Sequence, residues 1–416
     1  MKVKDIQSFK LKALQWANTF DICACFDSNG YSDKYGRYDM LLAAGSSAQL
    51  SLNAGHAFDE LKSFYNEQQS WTFGLLTYEL KSEIEALHFF NPDYLLFPDL
   101  FFFVPQHLIL IRDNEIEIIL GDDNILDLID QITVADHLGH TVSIQARISR
   151  ELYIKTVGEL QRHILRGDIY EVNFCQEFFA ENAFIDPLTV YRELNQISPT
   201  PFSGFFKLNQ QYILSASPER FLCKRGDKLV SQPIKGTARR SPDPLEDQLI
   251  KDRLKADTKE QAENVMIVDL VRNDLTKSAV KGSVKVEELF GIYGFAQVYQ
   301  MISTVSCELD PQVHIIDAIK NTFPMGSMTG APKIRAMQLI EQYEFSKRGV
   351  YSGALGYITP EGDFDFNVII RSICYNALKK YLSFQVGGAI TYASDADKEY
   401  EECLLKASAI IQTLKK

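Results

Sequence analysis

The sequence predicts an α+β protein, and two observations carry that prediction. Short runs rich in aromatic and β-branched residues follow one another across turn residues, as antiparallel strands do. After residue 150 these runs are interrupted by segments whose apolar residues recur at helical spacing. At 416 residues, with 46% hydrophobic and 24% charged positions, the chain is long enough for one large two-lobed domain or two smaller ones.

The elements follow in order. Residues 1–135 read as a strand-rich amino-terminal lobe, with strands expected in WTFGLLTYEL at 71–80 and in HLILIRDNEIEIIL at 107–120. There the Asp113-Asn114 pair predicts a hairpin turn. A polar stretch at 132–149 separates this lobe from the region 150–416. From Glu151 a helix is expected with Tyr153, Val157, Leu160, Ile164 and Leu165 on one face, ending at Arg166-Gly167-Asp168. Strand-like runs follow at 170–180, 202–207 and 211–223. Three further helices are predicted: about Thr258 to Asn273, one opening at Pro332 with proline in its first turn, and one from near Asp395 to the carboxyl end.

Composition narrows the class of function. A formal net charge of −12, with no basic run, argues against a nucleic-acid partner. A small anionic substrate must then be met locally, by a metal ion or a few placed cations. The first residues, MKVKDIQSFKLKALQW, carry charge where a signal peptide needs an apolar core, and the apolar stretch 94–111 is broken by Pro98, Asp99, Pro105 and His107. A cytoplasmic protein without a membrane span is expected. The seven cysteines show neither disulfide nor metal spacing, which predicts reduced, mostly buried thiols.

Several segments hold residues able to do chemistry, each with a plainer alternative. In Pro233-Ile234-Lys235-Gly236-Thr237, a lysine between proline and glycine can be packed and desolvated, which lowers its pKa and frees a nucleophile; the alternative, by far the commoner case for a lysine, is a surface position in a turn. Ser217-Pro218-Glu219-Arg220-Phe221 closes a strand and could aim Glu219 into a cleft as a general acid, or form only a turn. Glu263 sits among Ala262, Val265, Met266 and Val268, facing inward or on a solvated face. Glu399, Glu402 and Lys406 share one face of the terminal helix. With Glu263 from another helix, Glu402 could hold one Mg²⁺ with open positions, or the set could be an exposed Glu-Lys ladder. The glycines of Gly326-Ser327-Met328-Thr329-Gly330 and Val386-Gly387-Gly388-Ala389 could present backbone amides to a carboxylate or form tight turns.

Taken together and in this order, GDIYEVNF (167–174), SASPERF (215–221), QPIKGT (232–237), AENVMIVDLVRNDL (262–275), FPMGSMTGAPKIRAM (323–337), GVYSGALGY (349–357), VGGAI and YEECLLKA resemble the chorismate-binding enzymes. That family includes the large subunits of anthranilate and aminodeoxychorismate synthases and the isochorismate and salicylate synthases. The resemblance implies two packed antiparallel sheets with helices outside, and a chorismate-binding catalytic region at 150–416. It implies Mg²⁺ on Glu263 and Glu402 with Glu399 nearby, and substrate carboxylates met by Arg371, Lys406 and the backbone of Gly387, Gly388 and Ala389. Gly236, Thr237, Arg272, Ser327 and Tyr351 fall in the matching segments, and Gln300 in the corresponding GFAQVYQMIST (294–304), as further substrate-contacting positions. Glu219 resembles the residue that assists departure of the C4 hydroxyl.

Lys235 stands where members that aminate chorismate at C4 carry lysine and anthranilate synthases carry alanine, which points to 4-amino-4-deoxychorismate as product. Glu171 stands where water-adding members have their lysine base, so hydration is not expected. Ammonia would come from a separate glutamine amidotransferase subunit, because no cysteine here sits in a nucleophile setting with a partnered histidine. The alternatives are anthranilate formation and a catalytically silent family member. The departures are Gln300 for a common histidine, Glu171 for a common glutamine, a missing arginine after Gln176, and an amino-terminal part matching only at LLAAG (41–45) and FGLLTYE (73–79). That part lacks the Leu-Glu-Ser-Ser signature of tryptophan-inhibited members.

Overall fold

The computed structural model describes residues 5–85, 87, 91–134 and 142–415. It is an α+β structure of two antiparallel sheets packed face to face. The first runs, in spatial order, through Gly330–Ala331, Glu171–Ala180, Tyr381–Ile390, Ser372–Asn376, Gln211–Ser217, Phe202–Leu208, Ile22–Asp27, Met40–Ala44, His107–Arg112 and Glu115–Leu120. The second runs through Ile234–Arg239, Val298–Glu308, Lys228–Gln232, Arg220–Arg225, Phe364–Val368, Ala354–Ile358, Thr72–Leu76, Leu100–Val104 and Ala48–Leu52.

The two-residue period of a strand explains the layering. In Leu100–Val104, Phe101 and Phe103 point between the sheets and meet Phe206 of the opposite sheet at centroid distances of 6.1 and 6.3 Å. Phe102 points the other way, under the helices Ala57–Gln68, Thr258–Thr276 and Ile315–Thr322. The outer face of the first sheet is covered by Ile6–Ala17, Arg150–Leu165, Pro187–Ile197, Lys333–Tyr343 and Ala396–Leu414.

Hydrogen bonding crosses the boundary drawn at 132–149. Ile22–Asp27 pairs with Phe202–Leu208, and Thr72–Leu76 pairs with Ala354–Ile358, so strands from 1–135 are built into both sheets of the larger region. Residues 135–141 of the polar stretch, and Met1 to Lys4 of the charged amino terminus, lie outside the described residues. The hairpin at Asp113-Asn114 forms, with both residues at positive φ (51° and 62°) as a two-residue turn of that hand requires. The apolar stretch at 94–111 is two strands in different sheets, and among the described residues no helix is long and apolar enough to cross a membrane. All seven cysteines are free and buried.

Three local expectations need correction. Leu165 is 65% exposed at the last turn of its helix, while Tyr153, Val157 and Leu160 face the core. Pro332 caps the helix Lys333–Tyr343 from outside instead of opening its first turn. The run at 211–223 is two strands, Gln211–Ser217 in the first sheet and Arg220–Arg225 in the second, with Pro218-Glu219 as the crossover. Val386 to Ala389 is not a tight turn but the carboxyl-terminal part of the strand Tyr381–Ile390, paired along Glu171–Ala180. Gly387 is required there because a Cβ would sit 2.2 Å from the Phe174 carbonyl oxygen.

A buried ion pair ties separate segments of this framework together. The Arg348 guanidinium, 2% exposed, donates to Glu344 at 2.6 and 2.9 Å and to the carbonyls of Met328 and Asn173 at 2.6 and 2.8 Å. Glu344 in turn accepts from the Cys175 amide at 2.9 Å. Replacing Arg348 by methionine leaves Glu344 as an uncompensated buried charge. We expect urea unfolding to show a loss of about 3–5 kcal/mol for Arg348→Met, against a loss near zero for a surface change such as Lys398→Met.

Candidate active site

The two places where the chain passes from one sheet to the other lie side by side. Pro218-Glu219 links Gln211–Ser217 to Arg220–Arg225, and Ile369-Ile370-Arg371 links Phe364–Val368 to Ser372–Asn376. They are stitched by Val368 N to Glu219 O at 3.0 Å and Ala216 N to Arg371 O at 3.2 Å. Arg371 adopts φ 51° to make its turn. Both side chains line a cavity of about 110 Å³ bounded by strands of both sheets and by the helices Thr258–Thr276 and Ala396–Leu414.

Lys235 reaches the same cavity by a different device. Ile234–Arg239 pairs with Val298–Glu308 through Ile234↔Ile302 and Thr237↔Gln300, so one extra residue is accommodated between these pairs. Gly236, at φ 91°, absorbs the bulge. The lysine is 9% exposed, and its Nζ donates to Glu171 Oε1 at 2.8 Å. The surface-turn alternative is therefore excluded, but the expected fall in pKa does not occur. Burial lowers the Lys235 pKa, yet the charges of Glu171, Glu263 and Glu219 more than offset it, and the net direction is upward. In the resting protein Lys235 is an ammonium.

Its two acidic neighbours are raised as well, here by burial itself, and Arg371 is lowered. Burial pushes the Glu219 carboxyl from 4.5 to about 7, against hydrogen bonds from Ser327 and the Ile234 amide and the charges of Lys235 and Arg371. Glu263 also rises to about 7 by burial, opposed by Lys235 and Lys259. Burial lowers Arg371 to about 10, with Glu219 acting against that fall. Two buried acceptor oxygens here, Glu263 Oε1 and Gln300 Oε1, have no hydrogen-bond partner.

The structure thus gathers Lys235, Glu219, Gly236, Thr237, Gln300, Ser327, Tyr351, Arg371, Gly387, Gly388, Ala389, Lys406, Glu263, Glu399 and Glu402 around one cavity. Arg272 is not among them. It lies nine residues after Glu263, which at 3.6 residues per turn is the opposite side of the helix, and it is exposed and bonded to Asp269 at 2.7 Å. Lys406 is already engaged, donating to Gly387 O at 2.9 Å and pairing with Glu402 at 2.8 Å.

Sequence reasoning did not single out Asn173, Lys259, Glu260 and Gln385, which also line the cavity. Asn173 and Gln385 were available from alternation: Glu171 and Asn173 share one strand face, as do Gln385, Gly387 and Ala389. Lys259 precedes Glu263 by four residues, a spacing that puts both on one helix face.

The acidic residues have the chemistry of a hard-cation site. Glu263 and Glu399 are 6% and 4% exposed, and Glu263 Oε1 lacks a hydrogen-bond partner. They fit a divalent ion as donors, although among the described residues no three acidic, histidine or cysteine side chains are gathered closely enough to enclose one. Larger cavities of about 310 and 550 Å³ open beside Tyr31 and Phe202. Arg220 in their shared wall is already paired with Asp33 and Asp365.

The chain is similar to known proteins in sequence and in fold. The chain is 33% identical over 366 residues to aminodeoxychorismate synthase component 1 of Escherichia coli, covering 86% of this chain and 80% of that protein. It is 32% identical over 357 residues to anthranilate synthase component 1 of Thermus thermophilus, covering 82% and 76%. It spans 38% of the longer aminodeoxychorismate synthase of Streptomyces griseus, at 40% identity over 276 residues. Among solved structures, anthranilate synthase component I of Streptococcus pneumoniae superposes with a TM-score of 0.80 at 26% identity, over 91% of this chain and 93% of that one. The isochorismate synthase MenF of Escherichia coli shares the fold, with a TM-score of 0.77 at 15% identity over 97% and 91%. The family of chorismate binding enzymes matches residues 22–412, nearly the whole chain, and the protein belongs to that family.

Proposed function

We propose that this chain aminates chorismate at C4 with ammonia, giving 4-amino-4-deoxychorismate and water, with Lys235 as a transient nucleophile. The observation that carries the proposal is the buried Lys235 ammonium, 2.8 Å from Glu171, in the same cavity as Glu219, whose carboxyl holds its proton up to about 7. A lysine with an adjacent proton acceptor and a neutral acid in one cavity are the parts that an addition with loss of hydroxide requires.

In this reading Glu171 takes the Nζ proton and Lys235 adds to ring carbon C2. The ring double bonds shift, the C4–O bond breaks, and Glu219 delivers its proton to the departing hydroxyl, which leaves as water. Ammonia then adds at C4, the double bonds shift back, and Lys235 departs from C2. Gln300 cannot titrate, but its unpartnered amide oxygen is an acceptor for a substrate hydroxyl. Arg371 and Lys406 are the cations for the substrate carboxylates.

Charge balance supports a metal cofactor. With Glu219 protonated, Glu260, Glu263, Glu399 and Glu402 still match Lys235, Lys259, Arg371 and Lys406 around the cavity, and Glu171 adds a further carboxylate beside Lys235, so a dicarboxylate substrate enters a site with no surplus of positive charge. Glu263, Glu399 and Glu402 would hold Mg²⁺. When bound, the ion supplies positive charge to a substrate carboxylate and polarises the ring. The "component 1" names of the relatives support a partner subunit, which we read as a glutaminase that delivers ammonia.

Anthranilate formation is the second reading, favoured by the identity with the Thermus protein. The two are separated by incubating purified protein with chorismate, Mg²⁺ and excess ammonium and resolving the products by chromatography. We expect aminodeoxychorismate from the wild type, and from Lys235→Ala a rate lower by at least about two orders of magnitude. Anthranilate with pyruvate would overturn the assignment, and no turnover by the wild type would point to a silent family member.

Glu219 gives a pH-dependent test. Its folded pKa of about 7 lies above the ordinary 4.5, so between these values the folded protein keeps a proton that the unfolded chain has released. Its contribution to stability is therefore complete below the unfolded value and lost as pH rises through the folded one. Glu219→Gln cannot lose that proton. Urea unfolding at about pH 5 and pH 8 should show the wild type losing about 2–3 kcal/mol more than the variant across this interval. Equal losses in the two proteins would show that Glu219 is not held protonated.

A further inference from the structure

Lys259 is the one cavity cation for which the mechanism above has no use. It lies in the first turn of Thr258–Thr276, where the helix dipole disfavours a positive charge, so helix stability does not account for it. Its Nζ stands between two helices, 3.6 Å from Glu263 Oε1 and 3.4 Å from Glu399 Oε1. Its side chain is 42% exposed, against 9% and 5% for the two carboxylates. Both contacts are longer than a good charge-assisted hydrogen bond of roughly 2.7–2.9 Å, whereas Lys235 and Lys406 meet their carboxylates at 2.8 Å.

We propose that Lys259 is a tethered placeholder for the divalent cation: its ammonium supplies the positive charge between Glu263 and Glu399 until the ion binds, and ion binding expels it toward solvent. The inference rests on the metal reading above. Two buried carboxylates from separate helices cannot face each other without compensation, and among the described residues Lys259 is the cation that contacts both. Loose contacts and a half-exposed stem make it cheap to displace. Glu263 Oε1, unpartnered by hydrogen bonds, is left open to an ion. The lysine therefore holds the metal-free site together and competes with the metal for the same oxygens.

Calorimetric titration of the full-length protein with MgCl₂, without substrate, tests this on the wild type, Lys259→Met, Lys259→Arg and Glu263→Gln. Removing the competitor should tighten Mg²⁺ binding about five- to tenfold in Lys259→Met, the equivalent of two weak ion pairs, while Lys259→Arg stays near the wild type. Metal-free Lys259→Met should also melt lower than the wild type and gain more in Tm on adding Mg²⁺. Binding that needs Glu263 but is no tighter in Lys259→Met would overturn the placeholder and leave the metal reading standing. Absence of binding in every protein, or binding indifferent to Glu263→Gln, would overturn the metal reading and the placeholder with it.

Discussion

A buried ammonium must be compensated, and the cavity is organised around that requirement at Lys235. Taking a lysine to 9% exposure without a partner would neutralise or expel it. Here Glu171 sits at 2.8 Å and the fields of Glu263 and Glu219 add to it. Burial, acting against the charge of Lys235, keeps Glu219 and Glu263 partly protonated near neutrality. A pair of perturbed acids beside a charged amine is the kind of arrangement in which protons can be exchanged on substrate binding.

What brings these groups together is the way the chain changes sheets. A strand confined to one sheet places its side chains on the two faces of that sheet. A strand that leaves one sheet and enters the other must turn at the border between them. Glu219 and Arg371 occupy two such turns, and Gly236 with its bulge gives Lys235 a third irregular approach. The long helices contribute their carboxylates from outside, each set by its own cap: Asp257 for Thr258–Thr276 and Asp395 for Ala396–Leu414. Behind the wall, Arg348 fixes the carbonyls of Met328 and Asn173, so segments far apart in sequence meet at one point.

Much of this was legible in the residues. The Asp113-Asn114 hairpin, the helix ended by Gly167 and the capped helix on Asp395 followed from local chemistry. The ordered run of motifs from GDIYEVNF to YEECLLKA located all but one of the expected site positions. Arg272 failed because membership of a matching segment says nothing about helix phase. Asn173, Gln385 and Lys259 were overlooked although strand alternation and i,i+4 spacing pointed to them. The run at 211–223 reads as one although Ser217-Pro218-Glu219 reads as closing a strand, because a local turn does not say that the chain has passed to another sheet.

By itself the sequence determined the element types, the turn positions and the chemical identity of the groups available, since these depend on residues a few positions apart. The tertiary structure decided the pairing of 22–27 with 202–208 and of 72–76 with 354–358. It also decided the charge state of Lys235, which sequence reasoning placed in the opposite direction. Desolvation can be anticipated from a lysine in an apolar setting, but the sign of a pKa shift depends on how many carboxylates lie within a few ångströms. Glu171, Glu219 and Glu263 come to Lys235 from two other strands' ends and a helix, and only the folded chain makes them neighbours.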